Sequence, residues 1–288
     1  MRRSPKPDWL RIKIPSGDDL FKLKKDLSSR NLHTICQDAR CPNQGECWNK
    51  NHATFLILGN ICSRNCGFCS VKSGICEEPD NHEPEKIAEM VKIMKLKYVV
   101  ITSVTRDDLS DGGSLHYKKI LDKLRTEFPQ LRIEVLIPDF KGDFSAVDTV
   151  LDGKPDVLNH NIETVRELYE EVNRREENYN VSLSVLNYAR SKGFITKSGI
   201  MVGMGETREQ LTTLFSDLLD NGTEILTIGQ YLQPMPGNVE VSEYIHPQTF
   251  KELKDMGESM GFKAVESGPF VRSSYNASSL FQKVSNMT

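Results

Sequence analysis

The sequence predicts an α/β chain: a partial (β/α)6 barrel of parallel strands with an extension at each end. Three observations carry that prediction. Six short apolar runs recur between residues 53 and 232, helical patterns separate them, and all seven cysteines crowd around the first run, between positions 36 and 76. Residues 1–52 read as an irregular N-terminal extension with one helical candidate, Asp19–Ser29. Ala53–Gly59 (ATFLILG) is apolar and ends in glycine, as a buried strand does. Tyr98–Ser103, Arg132–Pro138, Asp156–Glu163, Ile195–Gly203 and Glu224–Leu232 repeat the theme. Between them, Ile87, Met90, Val91 and Met94 take the i, i+3, i+4, i+7 spacing of a helix face. Leu211, Leu214, Phe215 and Leu218 do the same, with Thr207 and Gln210 as a capping box.

Strands alternating with helices imply parallel βα units covered on both faces. A doubly wound sheet fits the same pattern. In either arrangement chemistry gathers at the C-terminal ends of the strands. The barrel domain is expected over residues 53–261, closing with a helix at Gln248–Gly261, and residues 262–288 form the C-terminal extension.

Composition excludes several classes. The net charge is -3, which gives no electrostatic footprint for nucleic acid. No apolar run approaches the roughly 20 residues of a membrane span. The basic start MRRSPKPDWL is followed by no apolar segment, so a secretory signal is not expected. A cytoplasmic chain is the reading. Seven cysteines in one segment are odd in number and clustered, which points to metal rather than to a disulfide framework.

Cys62, Cys66 and Cys69 are spaced C-x3-C-x2-C, directly after the first strand. Three thiolates can hold three irons of a [4Fe–4S] cluster and leave the fourth open to a ligand that is not protein. Structural zinc usually takes four ligands, and a zinc knuckle is the competing reading. Cys36, Cys41 and Cys47 form a second set, C-x4-C-x5-C, again one ligand short. Cys76 or a distant residue is open as its fourth partner, and a four-cysteine zinc site is the bland alternative.

The first spacing, with Phe68 before its third cysteine, resembles the signature of the radical S-adenosylmethionine superfamily. The second set, the strings ARCPN, GECW and ATFLILG, and the terminal run Arg272, Ser273, Ser274, Tyr275 resemble the lipoyl synthase family. The resemblance spans about residues 6–277. It implies two [4Fe–4S] clusters: one on Cys62, Cys66 and Cys69 of the barrel, with S-adenosylmethionine as its cofactor, and a second that the N- and C-terminal extensions bind together. A serine of the RSSY motif then completes the second cluster through oxygen; Ser273 takes that role here, with Ser274 as the second choice. Cys76 becomes a spectator. The implied reaction inserts two sulfur atoms at C6 and C8 of an octanoyl group carried on a lipoyl domain or H-protein. A 5′-deoxyadenosyl radical removes each hydrogen and the second cluster is consumed as sulfur donor. A flavodoxin or ferredoxin as reductant and an iron–sulfur carrier for repair are the further partners implied.

Other residues follow from the same resemblance. Asp111, Gly112 and Gly113, in TSVTRDDLSDGG, are expected near the amino group of the cofactor. The competing reading is a turn that caps the next helix. Asn159, Asn161 and Glu163 stand at period two on one strand face and suit a ribose. His160 between them points outward. Arg174 is placed on the cofactor carboxylate, and Lys197 and Ser198 on the fifth strand complete the set. PGNVEV, at positions 236–241, departs from the family's His-Leu-Pro stretch in the segment that faces the acceptor.

Overall fold

A computed structural model gives the structure of the chain and describes residues 6–11, 18–38, 41, 43–49 and 51–287. The basic residues 1–5 and Ala39, Arg40 and Pro42 of the ARCPN string lie outside the described residues.

The N-terminal segment supplies helix α1 (Asp18–Ser29), a short strand β1 (His33–Thr34) and two short helices, α2 (Ile35–Asp38) and α3 (Gln44–Asn49). The βα series follows: β2 (His52–Ile57), the two-residue strands β3 (Ile61–Cys62) and β4 (Lys72–Ser73), α4 (Glu83–Ile93), β5 (Tyr98–Ser103) and α5 (Ser114–Glu127). Next come β6 (Arg132–Leu136), α6 (Phe144–Asp152), β7 (Val157–Asn159), α7 (Glu177–Ser191), β8 (Ile195–Val202), α8 (Arg208–Asp220) and β9 (Ile225–Gln230). The chain ends with α9 (Pro247–Met260), β10 (Ala264–Gly268) and α10 (Ala277–Ser285).

Eight strands form one sheet in the order β1-β2-β5-β6-β7-β8-β9-β10, with β1 and β10 at its edges. All neighbours from β2 to β10 pair in parallel, and β1 pairs antiparallel with β2. The six expected strands are therefore present. Each extension adds one more: β1 at one edge and β10 at the other, so neither extension is merely packed on the barrel.

The outer faces of the strands bury against the helices. Ile87, Met90 and Val91 of α4 and Leu214, Phe215 and Leu218 of α8 are at most 1% exposed, as their spacing requires. The capping box at Thr207 forms with both of its hydrogen bonds.

The inner face is closed at one end by the last helix. Ala277 and Phe281 pack on Tyr98 and Val157, and Leu280 and Val284 pack on Ile225 and Ala264. Those four partners are the first residues of β5, β7, β9 and β10, so α10 plugs the N-terminal mouth of the barrel. On composition the Ser-rich end reads as a solvated tail. Its i, i+3, i+4, i+7 stripe (Ala277, Leu280, Phe281, Val284) makes it an apolar stopper instead.

Above the plug lies a sealed polar layer. Glu134 accepts from Lys197 Nζ (2.9 and 3.1 Å), from Tyr98 (2.7 Å) and from Asn159 Nδ2 (3.0 Å). Glu134, Lys197 and Asn159 are each at most 1% exposed. A charge this deep is tolerated because it is paired and hydrogen-bonded.

Candidate active site with two cysteine sets

The first set sits on the loop after β2. The turn that delivers the loop is fixed by charged groups: Leu58 N donates to Glu83 (3.1 Å), and the buried Arg106 donates to Leu58 O (3.3 Å). Ser63 N and Oγ both donate to Thr105 O. Arg64 makes bidentate pairs with Asp107 (2.7 and 3.0 Å) and Asp139 (2.7 and 2.7 Å). Burial alone would weaken the Arg64 cation and raise the Asp139 carboxyl; their pairing overrides both, so Arg64 stays firmly charged and Asp139 lies well below the usual carboxylate range. On the other side, Asn238 Nδ2 donates to Gly67 O (2.9 Å) and Cys69 O (3.1 Å), and Val239 N donates to Gly67 O (3.0 Å). Asn238 lies in the atypical PGNVEV stretch. That stretch thus packs on the cysteine loop, a role that reasoning from sequence missed and that no local pattern signals.

The second set is assembled from both chain ends. Cys36 lies on α2, Cys47 on α3 and Cys41 between them. Asn43 Nδ2 donates to Phe270 O (2.6 Å), and the Tyr275 hydroxyl donates to Glu46 (3.2 Å). These contacts bring the RSSY segment onto the cysteines. One chamber is lined by Cys36, Cys41, Cys47, Arg272, Ser274 and Tyr275. Ser273, the first choice on sequence, is absent from that chamber and lines a neighbouring cavity, which Ser274 also reaches. The segment lies this close because residue 229 on β9 is glycine: a Cβ there would stand 2.1 Å from Val271 O.

The neighbouring cavity, about 150 Å³, lies inside the barrel. Cys36, Cys41, Asn161, Glu163, Arg272 and Ser273 contribute to its walls, with Ile35, Ile200, Met201 and Val271 as apolar surface. Beyond burial, the Glu163 carboxylate also raises the Cys66 and Cys69 thiols, although neither cysteine lines this cavity. Burial pushes Cys36 and Cys69 up to about 11 and raises Cys41 and Cys66 as well; Arg174 opposes the shift at Cys66 and Arg272 opposes it at Cys41.

Such buried thiols ionise readily only against a bound cation, which is what iron supplies. Among the described residues, no three His, Cys, Asp or Glu side chains converge on one point as a single metal ion would demand. That spacing is compatible with a cluster, whose thiolates bind different irons and stand apart. The donor chemistry of both sets fits such a group.

The expected cofactor residues divide into three groups. Glu163 and Asn161 line the cavity. Glu163 has φ +73, the left-handed region that a bulky residue rarely adopts. The expected continuous strand stops at Asn159. From Asn159 to Glu163 the chain takes four steps, while its partner β8 takes three from Lys197 to Ile200. That extra residue is a bulge, and it turns Glu163 inward. Burial raises the Glu163 carboxyl against the pull of Arg174. The buried Oδ1 of Asn161 has no hydrogen-bond partner among the described residues.

Arg174 lies over the Tyr169 ring at 5.0 Å, 3.6 Å from Asp139, and lines a second, more open cavity of about 660 Å³ with Cys66 and Arg64.

The third group lies away from the cavity. Asn159 and Lys197 belong to the sealed Glu134 layer. Ser198 points outward and accepts from Ile162 N (3.1 Å), holding the bulge. Asp111 accepts from Gly113 N and Leu115 N and caps α5, with Gly112 and Gly113 in the same turn. His160 is a core histidine between sheet and α7, donating from Nδ1 to Ile137 O and bonded to Ser182; burial pulls it down to about 4, so it is neutral. Cys76 donates to Ile61 O (3.2 Å) beside the first loop and is absent from the second set's chamber. No helix among the described residues is long and apolar enough to cross a membrane.

Comparison with known proteins agrees with this arrangement. Residues 56–218 match the model of the radical SAM superfamily, and residues 2–41 match the N-terminal domain of lipoyl synthase. The chain is 51% identical to a lipoyl synthase of Caldicellulosiruptor saccharolyticus, over 96% of this chain and 98% of that one. It is 48% identical to a mitochondrial lipoyl synthase of Nematostella vectensis, over 96% and 94%. Among solved structures, methylornithine synthase superposes with a TM-score of 0.55 at 13% identity, covering 93% of this chain and 92% of that one, a likeness of fold alone. With a superfamily signature on the barrel and near 50% identity over almost all of the chain, it belongs to the lipoyl synthase family of radical S-adenosylmethionine enzymes.

Proposed function

We propose that this chain performs the family's sulfur insertion with a cluster on each cysteine set, facing one another across the barrel cavity. The observation that carries the reading is that Cys36 and Cys41 wall one cavity with Asn161 and Glu163, while Cys66 lines another with Arg64, Asp139 and Arg174. A lipoyl synthase is a sulfurtransferase acting on lipoyl carrier proteins. Its substrate here is an octanoyl group on a carrier domain or H-protein, sulfurated at C6 and C8. When bound, S-adenosylmethionine and the two [4Fe–4S] clusters supply the 5′-deoxyadenosyl radical and the sulfur.

The chain's own residues bind, orient and exclude water. Cys62, Cys66 and Cys69 hold the first cluster; Cys36, Cys41 and Cys47 hold the second. We assign the oxygen ligand of the second set to Ser274, because it shares the chamber of all three cysteines while Ser273 does not. Arg174 receives the cofactor carboxylate as a planar fork. Asn161 Oδ1 accepts from a ribose hydroxyl, which satisfies an otherwise orphaned buried acceptor. Ile35, Ile200, Met201 and Val271 give an alkyl chain an apolar wall. The placement brings the carbon and the sulfur source together, as direct bond formation demands.

A low-potential donor such as flavodoxin or ferredoxin and an iron–sulfur carrier that restores the second cluster complete the reading. Free thiols at all seven cysteines suit a reducing compartment, and we place the chain in the cytoplasm. The test is anaerobic reconstitution followed by turnover on an octanoylated carrier peptide. Two clusters of four irons give about eight irons per chain, and a lipoyl peptide should form. A stable content of about four irons, or product without the second set, defeats the two-cluster reading.

A further inference from the structure

The first cysteine loop and the cavity wall meet at one carboxylate. Asp139 follows β6 and is 2% exposed. Its oxygens accept from Nη1 and Nη2 of Arg64, both at 2.7 Å, and Oδ1 also accepts from Lys141 N at 2.9 Å. Arg64 stands midway between Cys62 and Cys66. Asp107 grips the guanidinium from its other edge, through Nε at 2.7 Å and Nη2 at 3.0 Å. On the far side of Asp139, Arg174 Nη2 lies 3.6 Å from Oδ2. Asp107, Arg64, Asp139 and Arg174 thus form a row of alternating charge.

The geometry is more than charge neutralisation requires. Asp107 alone would satisfy Arg64 as an ion pair. A second bidentate partner fixes the guanidinium plane, because a planar fork gripped on two edges has no rotation left. Fixing that plane fixes the chain between two thiols. The same carboxylate lies 3.6 Å from Arg174, whose guanidinium also rests over the Tyr169 ring.

We propose that Asp139 is a positioning residue: through Arg64 it holds the first cysteine loop, and through Arg174 it holds the receiver of the cofactor carboxylate, at one fixed separation. The proposal rests on the reading that S-adenosylmethionine binds at the first set. It makes binding at that set depend on a residue that touches neither cluster nor cofactor.

The experiment titrates S-adenosylmethionine into anaerobically reconstituted protein. It reads iron content, the dissociation constant, and the change that the cofactor makes in the electron paramagnetic resonance spectrum of the reduced first cluster. Asp139→Asn keeps the size and removes the charge. Expected are full iron content, an unaltered spectrum before cofactor is added, a smaller change on addition, and a Kd raised roughly tenfold to a hundredfold, the scale on which losing an outer-shell partner weakens a metal site. Asp139→Glu, which keeps the charge, should recover part of the loss.

Tighter binding by Asp139→Asn would mean that the carboxylate only competes with the cofactor for Arg174, and overturns the proposal. An unchanged Kd and spectrum overturn it as well. If Asp139→Asn takes up no iron, Arg64→Lys decides: it retains the charge but cannot make two bidentate pairs, so weaker binding supports the proposal and an unchanged Kd rejects it. Wild-type protein that loads iron yet never binds S-adenosylmethionine defeats the underlying reading, and this one falls with it. Wild-type binding with insensitive variants defeats this one alone.

Discussion

Cys62, Cys66 and Cys69 share one loop, and that loop is held on several sides by bidentate ion pairs, by Ser63 and by Asn238. Cys36, Cys41 and Cys47 are spread over two short helices and the segment between them. Their chamber closes only when the N-terminal segment meets residues 270–275, through Asn43 to Phe270 and Tyr275 to Glu46. The neutral bond from Asn43 contributes about 0.5–1.5 kcal/mol net and the bond from Tyr275 to a carboxylate about 1.5–3 kcal/mol. Charge-assisted bidentate pairs are roughly twice as strong per bond and fix direction as well. The difference teaches a division of labour. A site that must present the same open position at every turnover is locally encoded and rigid. The second set is closed by contacts between segments far apart in the chain.

The largest break in this comparison comes from the rigid side. Cys62→Ala should cut iron from about eight to about four per chain. It should also abolish formation of 5′-deoxyadenosine, measured by chromatography. Surviving cleavage would mean that the first set does not bind the cofactor.

On the flexible side the effect should be partial. Cys36→Ala and Ser274→Ala should both still cleave S-adenosylmethionine and yield little or no lipoyl product. Ser273→Ala should keep the second cluster and most of the product. A reversed result for the two serines would return the ligand role to Ser273.

A smaller effect sharpens the contrast. Asn238→Ala removes two hydrogen bonds to the first loop, worth roughly 1–3 kcal/mol together. Iron should leave the first set faster under a chelator while the second set is unaffected. Equal loss from both sets would show that the PGNVEV segment does not single out the first loop.

The remaining effect is one that the two sets share. The folded pKa of Cys36 and Cys69 is about 11 against an ordinary 9.0. Below about pH 9 the protons stay on in both the folded and the unfolded chain. As pH rises toward 11, the unfolded chain ionises first, so the iron-free protein loses stability, by roughly 2–3 kcal/mol for each such thiol. Thermal melts across that window should fall for the iron-free protein and stay level once iron has claimed the thiolates. A level melt without iron would mean that the thiols are not buried as the structure has them.

The legible part of this molecule was written in short-range pattern. Strand runs such as Tyr98–Ser103, the helix stripes of α4 and α8, the capping box at Thr207 and the C-x3-C-x2-C loop all depend on residues a few positions apart. Asn159, Asn161 and Glu163 show where that reasoning runs out. Period two places them on one face, but a bulge between Asn159 and Glu163 leaves the first sealed against Glu134 and turns the other two into the cavity. Lys197 reads as a polar group awaiting a ligand, yet its partner, Glu134, is 63 residues away. The serine-rich end reads as solvated, because the strands whose first residues receive Phe281 and Leu280 are distant in sequence.

By itself the sequence determined the βα order, the position and spacing of both thiol sets and the chemical class of the reaction. The first two follow from residue type and local spacing, which set backbone propensity and ligand chemistry before any long-range contact exists; the third follows from the family resemblance that the motifs carry. Only the tertiary structure decided that Cys36 and Cys41 share a cavity with Asn161 and Glu163, that Ser274 rather than Ser273 enters the second chamber, that Asn238 braces the first loop and that Asp139 stands between Arg64 and Arg174. Those are contacts between segments far apart in sequence, such as Arg64 with Asp139 at 75 and Asn43 with Phe270 at 227. No local pattern encodes them: they exist once the parallel sheet has curled and brought its loops to one mouth, and until then burial and charge have no partner to choose.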